Sequence, residues 1–411
     1  MTHAERLRPT RRTAVLGALG ATVLGTAGAA AVTGSRPAAA EEPRAASADR
    51  VALFDKGQST EYECYRIPAL LATASGTVLA FAEGRRDFDG EKFCYDDGSI
   101  DIVLKRSEDG GRSWEAQEVI LTGNPWGGEA EATRGNPVPI LIEQGERAGR
   151  IVLLTTWNQA GTREKRIPFV MHSDDEGKSW SEASSLEDQL KGGDAAPVTG
   201  WYATGPQHGI QMVHGEHAGR LVAGVCYEGG HGAIIYSDDD GETWAQGQGL
   251  AMPEGYDHFS EVGVEETAEG HLLAIGRGST PDRDPGQSRA AALSTDGGET
   301  FEGERFETVT DLETTPGVQG ALLNRDRTVG EPGDRLLYSA PSQGDERRDM
   351  AVFASGDAGT SWSRAVDVDS VRAGYSDMAV LDEDVLGLLH EAGDESGDAR
   401  DRIDWHRLDL G

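Results

Sequence analysis

Cysteine is scarce in this chain: Cys64, Cys94 and Cys226 are the three present in 411 residues. Three cysteines exclude a disulfide scaffold, and none belongs to a C-x-x-C pair of the metal or redox kind. Past residue 40 no apolar run is long enough to span a bilayer, so the mature chain is expected not to be embedded in a membrane. The G-x-S-x-G elbow, the H-E-x-x-H helix and the P-loop are missing, and the ten histidines are scattered without metal-ligand spacing. No cofactor is implied. Positive charge is also short, with 38 Lys and Arg against 71 Asp and Glu and a net charge of −33. That balance keeps a chain soluble and argues against nucleic acid or an anionic membrane as partner. Any anionic ligand must then be held by a local cluster of basic residues.

What is present begins with a targeting segment. Arg11 and Arg12 precede an Ala/Gly/Leu/Val run reaching Val32, and small residues end at Ala38, Ala39 and Ala40. A basic start, an apolar middle and a small-residue end predict a signal peptide over residues 1–40, and the paired arginines suggest twin-arginine export to the outside of the cell. Residues 41–49 read as a short leader. Cleavage removes five Arg and one Glu and leaves a net charge of −37.

Internal repetition is the strongest structural signal. The pattern S-x-D-x-G-x-[ST]-[WF] starts at Ser107, Ser173, Ser237, Ser294 and Ser355, at intervals of 66, 64, 57 and 61 residues. Each copy follows a short apolar strand: Ile100–Lys105, Phe169–His172, Ala233–Tyr236, Ala290–Leu293 and Met350–Ala354. It therefore reads as a hairpin turn in which the Asp accepts backbone N–H bonds, the Gly takes a positive φ and the aromatic packs beneath. A calcium loop would need a D-x-D-x-D-G spacing and a distal Glu that are missing. About sixty residues hold four strands, one propeller blade. Five marked blades and a sixth from Met378–Leu381, Val385–His390 and Ile403–Leu408 predict an all-β, six-bladed β-propeller over residues 50–411, with Val51–Phe54 closing the ring.

A propeller does not dictate function, so chemistry has to be found in the residues. Tyr65-Arg66-Ile67-Pro68, followed by the Asp-box turns, resembles the bacterial sialidase (neuraminidase) family, and the resemblance spans roughly residues 50–411. It implies three arginines that hold a substrate carboxylate. Arg66 matches the first and Arg277, in L-L-A-I-G-R-G-S, the second. The third falls in Arg347-Arg348-Asp349-Met350, where the family spacing favours Arg347 over Arg348. Guanidinium groups suit that task because they stay charged and can grip a carboxylate bidentately. The resemblance also implies a tyrosine nucleophile, Tyr375 in Gly374-Tyr375-Ser376-Asp377, activated by Glu261; Glu265 and Glu266 fit that position poorly. A phenol with a pKa near 10 needs such a base. The acid/base maps to Asp96 in Cys94-Tyr95-Asp96-Asp97-Gly98, with Asp97 as the neighbouring alternative. Arg85 matches a position near the sugar's ring substituents, with Arg86 as the neighbouring alternative. Cys64 and Cys94 fall in two of these segments, so a bridge between them is open, with Cys226 left as a buried thiol. Trp126, Trp157 and Trp201 are candidate pocket aromatics, and Gly205–Gln211 resembles a site-facing segment.

The implied activity is that of a monomeric exo-α-sialidase, a retaining glycosidase acting on sialylated glycans. A transferase, an intramolecular trans-sialidase, a hydrolase of deaminated sialic acid and a non-catalytic sugar-binding propeller are the alternatives.

Overall fold

Short apolar runs broken by glycine-rich turns leave little room for helix. Among the described residues the only helical elements are two single 3₁₀ turns, Lys56–Gln58 and Pro285–Gln287. The computed structural model describes residues 44–45, 49–86, 93–123, 131–190, 198, 200–327 and 335–410, all within one compact unit, Glu41–Gly411. The expected signal segment, most of the leader and Trp126 lie outside the described residues.

The architecture is all-β. Antiparallel four-stranded meanders recur along the chain, and the simplest runs through His258–Glu266, Leu272–Ser279, Arg289–Ser294 and Glu307–Thr308. Two meanders of the first half share an eight-stranded sheet, bridged by a parallel pair at Ile100 and Thr133. A second eight-stranded sheet combines the last two, which share the 20-residue strand Ser363–Asp382. Asp49–Asp55 pairs antiparallel with Arg402–Asp409, so the first full strand completes the last sheet. Every strand expected before an Asp box lies inside an observed one.

The boxes show why their residues recur. In the second, Asp175 accepts from Ser173 Oγ at 2.8 Å, from the Ser179 amide at 2.8 Å and from the Ser179 hydroxyl at 2.6 Å. The Ser173 hydroxyl in turn accepts from the Gly177 amide. Gly177 has φ +80°, and a Cβ there would lie 2.4 Å from Leu79 of the preceding meander. Gly359 stands in the same relation to Leu273. The box glycine thus serves a left-handed turn and a close approach between neighbouring meanders at once. Side chains from adjacent meanders fill the space between them: Leu79, Phe81 and Ile102 pack with Ile151, Leu153 and Met171 in one such layer.

Candidate active site

Arg66, Glu261 and Tyr375 stand where strand pairing is interrupted. The register of Cys64–Ala72 against Val78–Arg85 shifts between Arg66 and Ala69, with Ile67 at φ +53°. His258–Glu266 shifts between Ser260 and Val262, and the residue in the gap is Glu261 itself, at φ +54°. Ser363–Asp382 shifts between Ala373 and Ser376, around Tyr375. A bulge re-aims side chains that regular pairing would send to the sheet faces. A left-handed non-glycine residue costs roughly 1–3 kcal/mol, which the surrounding sheet must outweigh.

These bulges open on a cavity of about 270 Å³. Arg66, Arg85, Asp96, Glu261, Arg277, Arg347 and Tyr375 all line it, so the residues singled out by motif converge in space from five strands and two loops. The Tyr375 hydroxyl donates to Glu261 Oε1 at 2.5 Å. Arg277 Nη1 lies 2.6 Å from Glu261 Oε2 and 2.5 Å from the Tyr375 oxygen. The guanidinium carbons of Arg66, Arg347 and Arg277 stand 4.9, 5.8 and 5.9 Å from the centre of the Tyr375 ring. Burial pushes the Tyr375 phenol well above its ordinary range; the Arg277, Arg66 and Arg347 charges oppose that shift and the Glu261 charge adds to it. At rest the phenol is neutral, with a carboxylate already on its proton.

Arg347 and Arg348 are placed differently. Arg348 points away from the cavity, with both terminal nitrogens on Glu395 at 2.8 and 2.7 Å. Arg347 lines the cavity and donates to the Gly317 carbonyl at 3.4 Å. Among the described residues no carboxylate lies within ion-pair distance of Arg347. Burial, followed by repulsion from Arg66, pushes its guanidinium below the usual range. A buried cation so placed favours an incoming anion.

Both acids line the cavity and both pair with Arg163, but the Asp96 side chain is 52 % exposed and that of Asp97 only 2 %. Asp96 accepts from Arg85 Nη1 at 2.5 Å and from Arg66 Nη1 at 3.4 Å. Burial raises the Asp96 carboxyl, but the Arg85 and Arg66 charges outweigh it and hold the group well below its usual range. The Asp96 segment is pinned from behind by a Cys64–Cys94 disulfide, and Arg85 donates to the Cys94 carbonyl at 3.1 Å. Cys226 is free, buried and part of the cavity wall, with burial pushing its thiol up to about 11.

Several participants carried no motif. Glu391 is fully buried and accepts from Arg66 Nε at 2.8 Å, Arg66 Nη2 at 3.0 Å, and the Ile67 and Tyr375 amides at 3.1 Å each. It fixes the first arginine and both bulges at once. Glu83 takes a two-nitrogen grip from Arg85 and also accepts from the Asn136 amide. Arg166 lies 4.1 Å from the Trp201 ring and donates to Asn158 and Asn136. Trp201 is in the cavity wall, while Trp157 packs against a hydrophobic core. The Gly205–Gln211 segment differs from expectation. It lies outside the cavity wall, and His208 is buried against Asp377 at 2.7 Å. Its polar groups are consumed by packing between sheets.

The family model for the BNR repeat-like domain matches residues 76–390. The chain belongs to the sialidase family. It is 28% identical over 396 residues to the sialidase of Micromonospora viridifaciens, covering 91% of this chain and 56% of that protein. Among solved structures, the Hadza microbial sialidase Hz136 superposes with a TM-score of 0.69 at 25% identity, over 85% of this chain and 66% of that one. The intramolecular trans-sialidase from Ruminococcus gnavus shares the sialidase fold at a TM-score of 0.65 and 19% identity, over 87% and 96% of the two chains. The chain thus spans a little over half of one sialidase relative and nearly the full length of another.

Proposed function

We propose that the protein is an exo-α-sialidase that hydrolyses terminal α-linked sialic acids with retention, through a tyrosyl intermediate. The observation that carries this reading is the convergence of three guanidiniums on one phenol whose hydroxyl already donates to a carboxylate. In this reading Arg66, Arg277 and Arg347 grip the sugar's carboxylate, and Arg85 holds Asp96 and faces the ring substituents. Tyr375 attacks the anomeric carbon while Glu261 takes its proton, and Asp96 protonates the leaving oxygen. In the second step Asp96 takes a proton from water, which attacks the same carbon, and Glu261 returns the proton to Tyr375. A neutral phenol suits a carbon that bears a carboxylate, because an ionised nucleophile would be repelled there. The substrate carboxylate also weakens Arg66's hold on Asp96, which lets a proton reside on that acid when the leaving oxygen needs it.

The recurring meanders support a six-bladed propeller over residues 50–411: each eight-stranded sheet counts as two blades and the other two sheets as one each. Residues 1–40 are read as an export signal and the protein as secreted. The same machinery serves transfer to a second sugar or intramolecular release, and the product distinguishes them. With an aryl α-sialoside, Tyr375→Phe should lower kcat/KM at least about a thousandfold. Proton NMR should show the α-anomer of free sialic acid as the first product. Substantial turnover by Tyr375→Phe removes the nucleophile, and an anhydro or transferred product replaces hydrolysis with the alternative outcome.

A further inference from the structure

Behind the cavity, in the sheet completed by Asp49–Asp55, four side chains from three strands converge: Asp369, His390, Asp404 and His406. One ligand atom from each lies within 4.8 Å of all the others. His390, Asp404 and His406 are buried, and Asp369 is nearly so. Strand pairing explains the convergence. His390 is the register partner of Asp404, and His406 follows two residues later on the same face.

The chemistry of the set is that of a cation site rather than an acidic patch. The His390 Nδ1 faces the Glu391 carbonyl at 2.9 Å, and a carbonyl only accepts, so that nitrogen carries the proton and Nε2 is bare. That bare nitrogen lies 3.0 Å from His406 Nε2, where at most one proton fits between the two rings. A backbone carbonyl on the far nitrogen is the arrangement that orients metal-bound imidazoles. Two imidazoles and two carboxylates in a set of four suit a tetrahedral Zn²⁺ over Ca²⁺ or Mg²⁺, which prefer oxygen ligands alone. A Zn²⁺ with bonds of about 2.0–2.1 Å needs ligand atoms roughly 3.4 Å apart, a value between the 3.0 Å that separates the two imidazole nitrogens and the 4.8 Å outer limit of the set.

Two arginines already touch the carboxylates. Arg402 Nε lies 2.9 and 3.1 Å from the two oxygens of Asp404, and Arg50 donates to Asp369 at 3.0 Å and lies 3.7 Å from Asp404. Arg402 is compatible with a metal, as an outer partner that orients Asp404. Arg50 is 44 % exposed and has room to leave Asp369 for solvent.

We propose that Asp369, His390, Asp404 and His406 form a structural zinc-type site, which ties together the three strands that end the chain. Because His390 is adjacent to Glu391, the site also steadies the strand that holds Arg66 in place. This function is independent of the hydrolytic reading.

The test uses the untagged full-length protein, stripped with chelator, equilibrated with Zn²⁺ or Ca²⁺ and then desalted. Metal analysis should find one Zn²⁺ per chain and no retained Ca²⁺, and Zn²⁺ should raise the thermal midpoint. Replacing Zn²⁺ with Co²⁺ should give the intense visible absorption of a four-coordinate ion. Asp369→Asn sits at the accessible edge of the set, should fold without metal, and should weaken Zn²⁺ binding about tenfold or more. His406→Gln should abolish it. Absence of stoichiometric Zn²⁺ in the wild type overturns the proposal, as does wild-type Zn²⁺ affinity in folded Asp369→Asn.

Discussion

Asp96 sits under the charges of Arg85 and Arg66, and its ionised form is favoured until something competes for those cations. The proposed competitor is the substrate's own carboxylate, which makes the acid's proton a consequence of binding. General-acid help matters in proportion to the basicity of the leaving oxygen. Asp96→Asn should therefore cost little on a nitrophenyl sialoside and about 10²–10⁴-fold in kcat on an alkyl or sugar sialoside. Equal losses on both substrates would show that Asp96 is not the acid. The seven cavity residues named by motif were legible in the sequence because their types are matched to the chemistry and their flanking patterns are specific. Glu391 and Glu83 were not. Each is a lone acid in an apolar strand: only the fold reveals that Glu391 meets Arg66 from the other end of the chain and that Glu83, besides holding Arg85 two residues on, accepts from the Asn136 amide. The choice between Arg347 and Arg348 likewise waited for a sheet edge that turns one inward and gives the other to Glu395.

At the scale of the element, the Asp box joins two neighbouring meanders rather than closing one hairpin alone. Gly177→Ala places a methyl on Leu79 and strains a positive φ, so it should destabilise the fold by roughly 2 kcal/mol or more. Gly145→Ala is the control: its φ is +101°, but nothing lies within 4 Å of the added Cβ. It should cost about 1 kcal/mol, the backbone penalty alone. Denaturant midpoints that fail to separate the two would remove the inter-blade role. The box motif announced the turns and their spacing, whereas the contact with the preceding sheet is a tertiary fact no local pattern encodes. The bulges were hidden for the same reason. Glu261 lies in a run, F-S-E-V-G-V, that reads as ordinary strand. The histidine cluster escaped because its four side chains come from three consecutive strands, and only the pairing of those strands brings Asp369 and His390 beside the Asp404 and His406 pair.

For the whole molecule, acid sets a limit on stability. In Asp175 the Ser179 hydroxyl, ahead of burial, lowers the carboxyl. In Asp239, Asp296 and Asp357 burial pushes upward, and the hydroxyls and amides of Thr243, Thr300 and Ser361 outweigh it. Each folded-state value is depressed, so the stabilisation is fully present above the unfolded carboxylate value of about 3.9 and is lost as pH falls through the folded one. The thermal midpoint should be nearly flat from about pH 7 to pH 5 and fall steeply below about pH 4. A midpoint that rises on acidification would contradict the role of these turns. The central claim concerns one bond, between the Tyr375 oxygen and the anomeric carbon of a sialic acid. It is tested most directly by incubating the protein with 2,3-difluorosialic acid, whose C3 fluorine slows release of the trapped sugar, and then mapping the label by peptide mass spectrometry. A single sugar adduct on Tyr375 is expected. An adduct on another residue, or none from a preparation that turns over an aryl sialoside, would contradict it.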